Sequence, residues 1–386
     1  MLKIAGRGPD GLAKAIKTDM GGNVLTANHA TSNKHLDWHY TTALGQIGSM
    51  QVPEHDGTVW GARWGTDDYN KIYNFVDVTD PSTLTISPVI ALEGTIFYIH
   101  PYREGEDLKI AVVTCDLTNK VIRAYLMNGI EDTAPILTLE YNGIISKFGC
   151  DSYYDGLTNI ILIPEYGQLN TPKKLWASFD GGRTYVVIKE TTQVGTDMAN
   201  HWHTAHYDRF SGRIWASEGD ASNSAINWSD NLGVTWNRNT DLDIQPTLIK
   251  SFANCVVFGH DEGYEKAGLS VWYRNNGVNR NALSINRVLS ISDQSAPDMF
   301  AMSTSWGQNG DTAYMLFIRT SGTVLTEYIY KTDDGGNSWI GVSVFKNTVS
   351  RIDLLSGVTK QGHIVGRLRL SSNPNWLTDH LVYSSI

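Results

Sequence analysis

SFDGGRTY, residues Ser178–Tyr185, returns as SDNLGVTW at Ser229–Trp236 and as TDDGGNSW at Thr332–Trp339. All three fit Ser/Thr-x-Asp/Asn-x-Gly-x-Ser/Thr-aromatic. Their anchors, Asp180, Asn231 and Asp334, are spaced by 51 and 103 residues, one and two units of the same period. The chemistry of such a stretch is local. An Asp or Asn side chain accepts backbone N–H bonds within its own turn, and glycine permits a positive φ. The terminal aromatic packs between sheets. YRNNG, with Asn275 and Gly277, is a weaker echo.

A second repeat runs through the whole chain. A polar turn with a glycine precedes an apolar strand at Gly57, Gly105, Gly156, Gly212, Gly263, Gly310 and Gly362, with spacings of 48, 51, 56, 51, 47 and 52 residues. Each interval holds about four short strands. Seven such turns predict an all-β, seven-bladed β-propeller of four-stranded antiparallel blades, each glycine turn joining a first strand to a second. After Ser350 there is room for only three strands, near RIDLLSG, HIVGRLRL and HLVYSS. The missing strand is expected from the N-terminal GNVLTA, which would close the ring and remove its open edge.

Composition agrees. The chain has 386 residues, 10% of them aromatic, with 36 Gly and only 18% charged, a profile of many short strands and glycine turns. The net charge of −9 is spread without long runs, which argues against nucleic acid or an anionic membrane as partner. No apolar run approaches the ~18 residues of a membrane span. The N-terminal residues lack the apolar core of a secretion signal. Cys115, Cys150 and Cys255 are too few and too scattered for a disulfide framework or a zinc knuckle, and read as free thiols.

The three repeated stretches resemble the Asp-box, or BNR repeat, of sialidase-like β-propellers. That resemblance implies a turn between third and fourth strands on the face away from the active site, so Asp180, Asn231 and Asp334 would be structural. Asn231 departs from the usual Asp. Sialidase propellers have six blades, which is the alternative count. GRGPDGLAKAIKTDMGGNVLT resembles the opening segment of tail and appendage proteins of phages of Gram-positive bacteria. This implies a docking segment over residues 1–20 and a propeller over 21–386.

The expected ligand face collects the loops between second and third strands and those leading into each first strand. The second-strand ends carry Arg63, Glu165, Glu218, Arg274, Arg319 and Arg369, and nearby loops add Asp67, Asp220 and Trp376. Charged groups there would bond sugar hydroxyls, and aromatic faces would stack on pyranose rings. HWHTAH, residues 201–206, reads as an innermost strand. Regular alternation puts His201 and His203 on one side and His206 on the other, with Asp208 in the far turn. Two histidines at i and i+2 are too few for a zinc site, and a third ligand would have to come from Glu165, Glu218 or Asp220; no metal and no cofactor is expected.

Two function classes remain. One is a glycan-binding receptor protein of a phage virion, recognising bacterial surface carbohydrate, released by host lysis and joined to other virion proteins through its N-terminal segment. Several copies would raise avidity, so a homo-oligomer is compatible. The other is a glycan-cleaving enzyme, a sialidase-like glycoside hydrolase or a propeller polysaccharide lyase, with Glu218, Glu165, His201 and His203 as catalytic candidates. The Arg-Ile-Pro signature of sialidases is missing, so their constellation is not carried over residue by residue. No GxGxxG before a helix, GxxxxGK[ST], GxSxG or CxxC motif occurs.

Overall fold

The computed structural model describes residues 2–7, 13–18, 24–25, 38–40, 47–53, 55–63, 70–146, 149–167, 171–191, 201–220, 223–240, 244–260, 262–263, 268–274, 286–290, 298–306, 311–321, 324–347, 350–370 and 379–385. Among these the protein is all-β, and no helix is long and apolar enough to cross a membrane. Among the described residues, the strands from Trp38 onward form seven antiparallel sheets of four or five strands. Six of them follow the chain from inner strand to outer, except that Ile144–Ile145 and Asp151–Tyr154 both pair with Asn159–Tyr166 in the third and that Glu262–Gly263 leaves the fifth for the edge of the sixth. The seventh holds Ser350–Val358, His363–Leu370 and Asp379–Ser385 and takes its last strand from Trp38–Tyr40. The inner strand of the seventh sheet touches that of the first, so the ring closes.

The sheets adhere through apolar seams. Ile160 and Leu162 face Trp202, Ala205 and Ile214 of the fourth sheet, while Ile161 and Ile163 face Ala111, Val113 and Ile122 of the second. Thus the run IILI in Asn159–Tyr166 is apolar throughout because both of its faces are covered. Each fully buried aliphatic side chain of this kind contributes about 1.5–3 kcal/mol. Like seams join the first sheet to the second, the fourth to the fifth, the fifth to the sixth and the seventh to the first.

The three repeated turns join third to fourth strands, for example Lys174–Ser178 to Val186–Glu190. Asp180 Oδ1 accepts from the Thr184 N–H at 2.9 Å, and the Ser178 hydroxyl accepts from the Gly182 N–H at 2.8 Å. Asn231 and Asp334 repeat this with Thr235 and Ser338. The second glycine is required twice over. Gly182 has φ +90°, and a Cβ there would lie 2.8 Å from the Cβ of Ala111 in the neighbouring sheet.

Three expectations need correction. The closing strand is Trp38–Tyr40; Val24–Leu25 of GNVLTA instead pairs with Ala13–Thr18. Residues 1–20, which show no strand pattern in sequence, hold the strands Leu2–Arg7 and Ala13–Thr18, which pair and, with Val24–Leu25, make a separate three-stranded sheet. Gly57, Gly105, Gly156, Gly212 and Gly362 occupy first turns with positive φ, but Gly263 does not. The fifth sheet turns between Pro246–Ser251 and Cys255–His260 without a glycine, and Phe252 N–H donates to the Cys255 carbonyl at 2.8 Å. Glu262–Gly263 instead pairs with the sixth sheet. Gly310 and the Asn275–Gly277 echo lie outside the described residues.

Candidate functional site

The strand Trp202–Asp208 starts at the expected ligand face, and its register with Arg213–Glu218 slips between Trp202 and Thr204. The irregularity falls on His203. The His201 and His203 rings lie on one side, as strand alternation places them, at 4.6 Å centroid separation. Gly219 N–H donates to the His201 carbonyl at 2.9 Å, which returns the chain so that Asp220 reaches both imidazoles. His203 Nε2 stands 2.9 Å from Asp220 Oδ1 and His201 Nε2 3.7 Å from it. Gln245 Nε2 donates to the same oxygen at 2.7 Å.

Burial acts to raise the pKa of Asp220. The His203 hydrogen bond and the charges of His203 and His201 outweigh it, holding the carboxyl below its ordinary value. The three residues offer donor atoms within 4.8 Å of one another, a set that could hold a metal ion, although the sequence led us to expect none. The hydrogen bonds from His203 and Gln245 already engage the Asp220 oxygen.

Tyr166 completes the cluster. Its ring lies 4.3 Å from that of His201 and is 43% exposed. The face thus presents an aromatic platform backed by two imidazoles and a carboxylate. The sequence singled out Glu165 but not this side chain; the signal was its place at the end of Asn159–Tyr166, one residue past Glu165.

Glu165 and Glu218 reach this end of the channel, yet they are only 3% and 4% exposed. Glu165 accepts the Lys174 backbone N–H at 2.8 Å, and burial raises its pKa. Glu218 accepts from Arg238 Nε at 2.6 Å. Both therefore brace neighbouring strands.

Strand register brings Arg63, Arg319 and Arg369 to second-strand ends, opposite Ile47, Met299 and Arg351. Asp67 and Trp376 lie outside the described residues. Arg274 does not join them. It follows the third strand Gly268–Tyr273, on the side of the repeated turns, and its guanidinium clasps the fully buried Asp208, with Nη2 at 2.7 Å from Oδ1. The cause is the shifted register of the fifth sheet. A single basin of Glu165, Glu218, Arg274 and Arg319 is therefore not formed.

Sheets that follow one another around a closed ring, joined through apolar seams at six junctions and at the seventh by contact between the inner strands Asp298–Trp306 and Ser350–Val358, define a β-propeller. No family model and no curated sequence matches the chain. Solved structures similar to it include a PL25 polysaccharide lyase, an ulvan lyase, at 10% identity and TM-score 0.52, covering 90% of this chain and 96% of that one. The same lyase bound to GlcA(1-4)Rha3S gives the same figures. Prolyl oligopeptidase B from Galerina marginata is 10% identical at TM-score 0.50, covering 84% of this chain and 47% of that one. At such identities the likeness establishes the fold alone.

Proposed function

We propose that this protein is a glycan-binding β-propeller that takes bacterial surface carbohydrate at the face of Tyr166, His201, His203 and Asp220, as a receptor-binding protein of a phage virion. The observation that carries the reading is the half-exposed Tyr166 ring set against the His201–His203–Asp220 cluster. An aromatic face takes the apolar side of a pyranose, while a carboxylate and imidazoles bond its hydroxyls. The virion role rests on the N-terminal resemblance, and the structural role of Asp180, Asn231 and Asp334 fits Asp-box turns that sit away from the ligand.

A second reading, polysaccharide lyase, is favoured by one specific feature. A phenol and two imidazoles adjoin in one site, and abstraction of the proton α to a uronate carboxylate needs such a base and acid. The propeller also shares its fold with an ulvan lyase. Incubation with bacterial wall polysaccharide separates the readings. The binding protein retains the polymer unchanged. Growth of unsaturated-uronate absorbance establishes the lyase, and new reducing ends without that absorbance establish a hydrolase.

A further inference from the structure

The same strand carries a second constellation near its other end. His206 Nδ1 lies 2.8 Å from Asp151 Oδ2, and His206 Nε2 lies 2.8 Å from Ser251 Oγ. The three residues come from the inner strands Asp151–Tyr154, Trp202–Asp208 and Pro246–Ser251 of three successive sheets. Asp151 is further fixed by the Tyr207 N–H at 3.0 Å and by Lys250 Nζ at 3.4 Å. A carboxylate at Nδ1 can only accept, so it selects the tautomer with its hydrogen on Nδ1. Nε2 is then left as an acceptor for the serine proton.

We propose that Ser251, His206 and Asp151 form a nucleophile, base and positioning carboxylate that hydrolyse short-chain acyl esters in the channel mouth opposite His201. All three line a cavity of about 270 Å³, together with Tyr153, Tyr207 and the cations Lys250 and Arg209. The volume suits a small acyl group, and the two cations supply positive charge for a developing oxyanion. Ser251 Oγ attacks the acyl carbon as its proton passes to His206 Nε2. The ester C–O bond breaks and the leaving alcohol takes that proton. Water then attacks the acyl-serine, gives a proton to His206 and releases the acid, and Ser251 Oγ recovers the proton. A polar seam that only braces three sheets would share the distances but not the reactivity.

The test uses the full chain and a fluorophosphonate probe, with mass spectrometry of the labelled peptide. The proposal expects one label per chain on Ser251, none on S251A, and a labelling rate lower by roughly 100-fold or more in H206Q at an unchanged melting temperature. Absence of label on Ser251 in the folded protein overturns it, as does an equal rate in H206Q. Should H206Q fail to fold, p-nitrophenyl acetate decides. A burst of one equivalent of p-nitrophenol that S251A lacks supports the nucleophile, and no burst overturns it. Glycan retention at the Tyr166 face is independent of either outcome.

Discussion

Two histidine sites sit on one strand, on the order of 16 Å apart along it, and they are built differently. At the His201 end, His203 and Asp220 lie 17 residues apart on one segment, and Tyr166 comes from the preceding sheet. The His203–Asp220 and Tyr166–His201 pairs lie within one sheet and its neighbour, and Tyr166 remains half exposed. At the His206 end the partners stand 55 and 45 residues away, about one repeat in each direction. The first site is made by a strand end and a returning loop, which suits contact with a ligand from outside. The second is made by propeller packing, which brings the inner strands of three successive sheets together.

The sharpest way to break the comparison is to remove what both ends share. Trp202 is fully buried, and its indole N–H donates to the Lys173 carbonyl at 2.9 Å. Trp202→Ala should cost about 3–5 kcal/mol, read by denaturant unfolding, and should disturb both ends together. A loss under 1 kcal/mol (~1) would mean that the strand is not the common support.

Asp151→Asn acts on the channel end alone. Burial works to raise the Asp151 pKa, but the charges of Lys250 and His206, with hydrogen bonds from His206 and Tyr207, hold it well below the usual carboxylate range. A carboxyl with a depressed folded pKa stabilises the fold above its unfolded pKa, and that contribution is lost as pH falls through the folded value. The variant should therefore melt lower than the parent at neutral pH, with the gap closing below the ordinary carboxylate pKa of about 3.8. A gap that stays constant on acidification would contradict the assignment.

Smaller still is the effect expected at the repeated turns. Asp334→Ala removes acceptors for the Ser338 N–H and hydroxyl and should cost about 1–2 kcal/mol in a thermal melt. Glycan retention should be unchanged, because the turn is at the far side from Tyr166. Lost retention at an unchanged melt would reverse that placement.

Much of this architecture was legible in residue spacing. The glycine turns at Gly57, Gly105, Gly156, Gly212 and Gly362 and the three Ser/Thr-anchored turns report local chemistry, and local chemistry survives in sequence. The register of the fifth sheet was hidden because its first turn uses Phe252–Asn254 in place of glycine, which displaced Arg274 to the wrong end. The closing strand was hidden because any short apolar run before Ile47 satisfies the same pattern. His201, His203 and Asp220 were nameable from the segment ends, but no residue type announces that Asp220 reaches both imidazoles. Asp151 and Ser251 were missed, although their spacing to His206 matches the repeat, because neither belongs to a motif.

The most direct test of the two-ended account is a binding isotherm of labelled bacterial wall polysaccharide against the parent chain, Tyr166→Ala and Ser251→Ala. The account predicts that Tyr166→Ala weakens retention about tenfold, as loss of one aromatic contact of about 1.4 kcal/mol would, at an unchanged melting temperature, while Ser251→Ala binds like the parent. Unaltered binding by Tyr166→Ala, or binding lost only in Ser251→Ala, would contradict it.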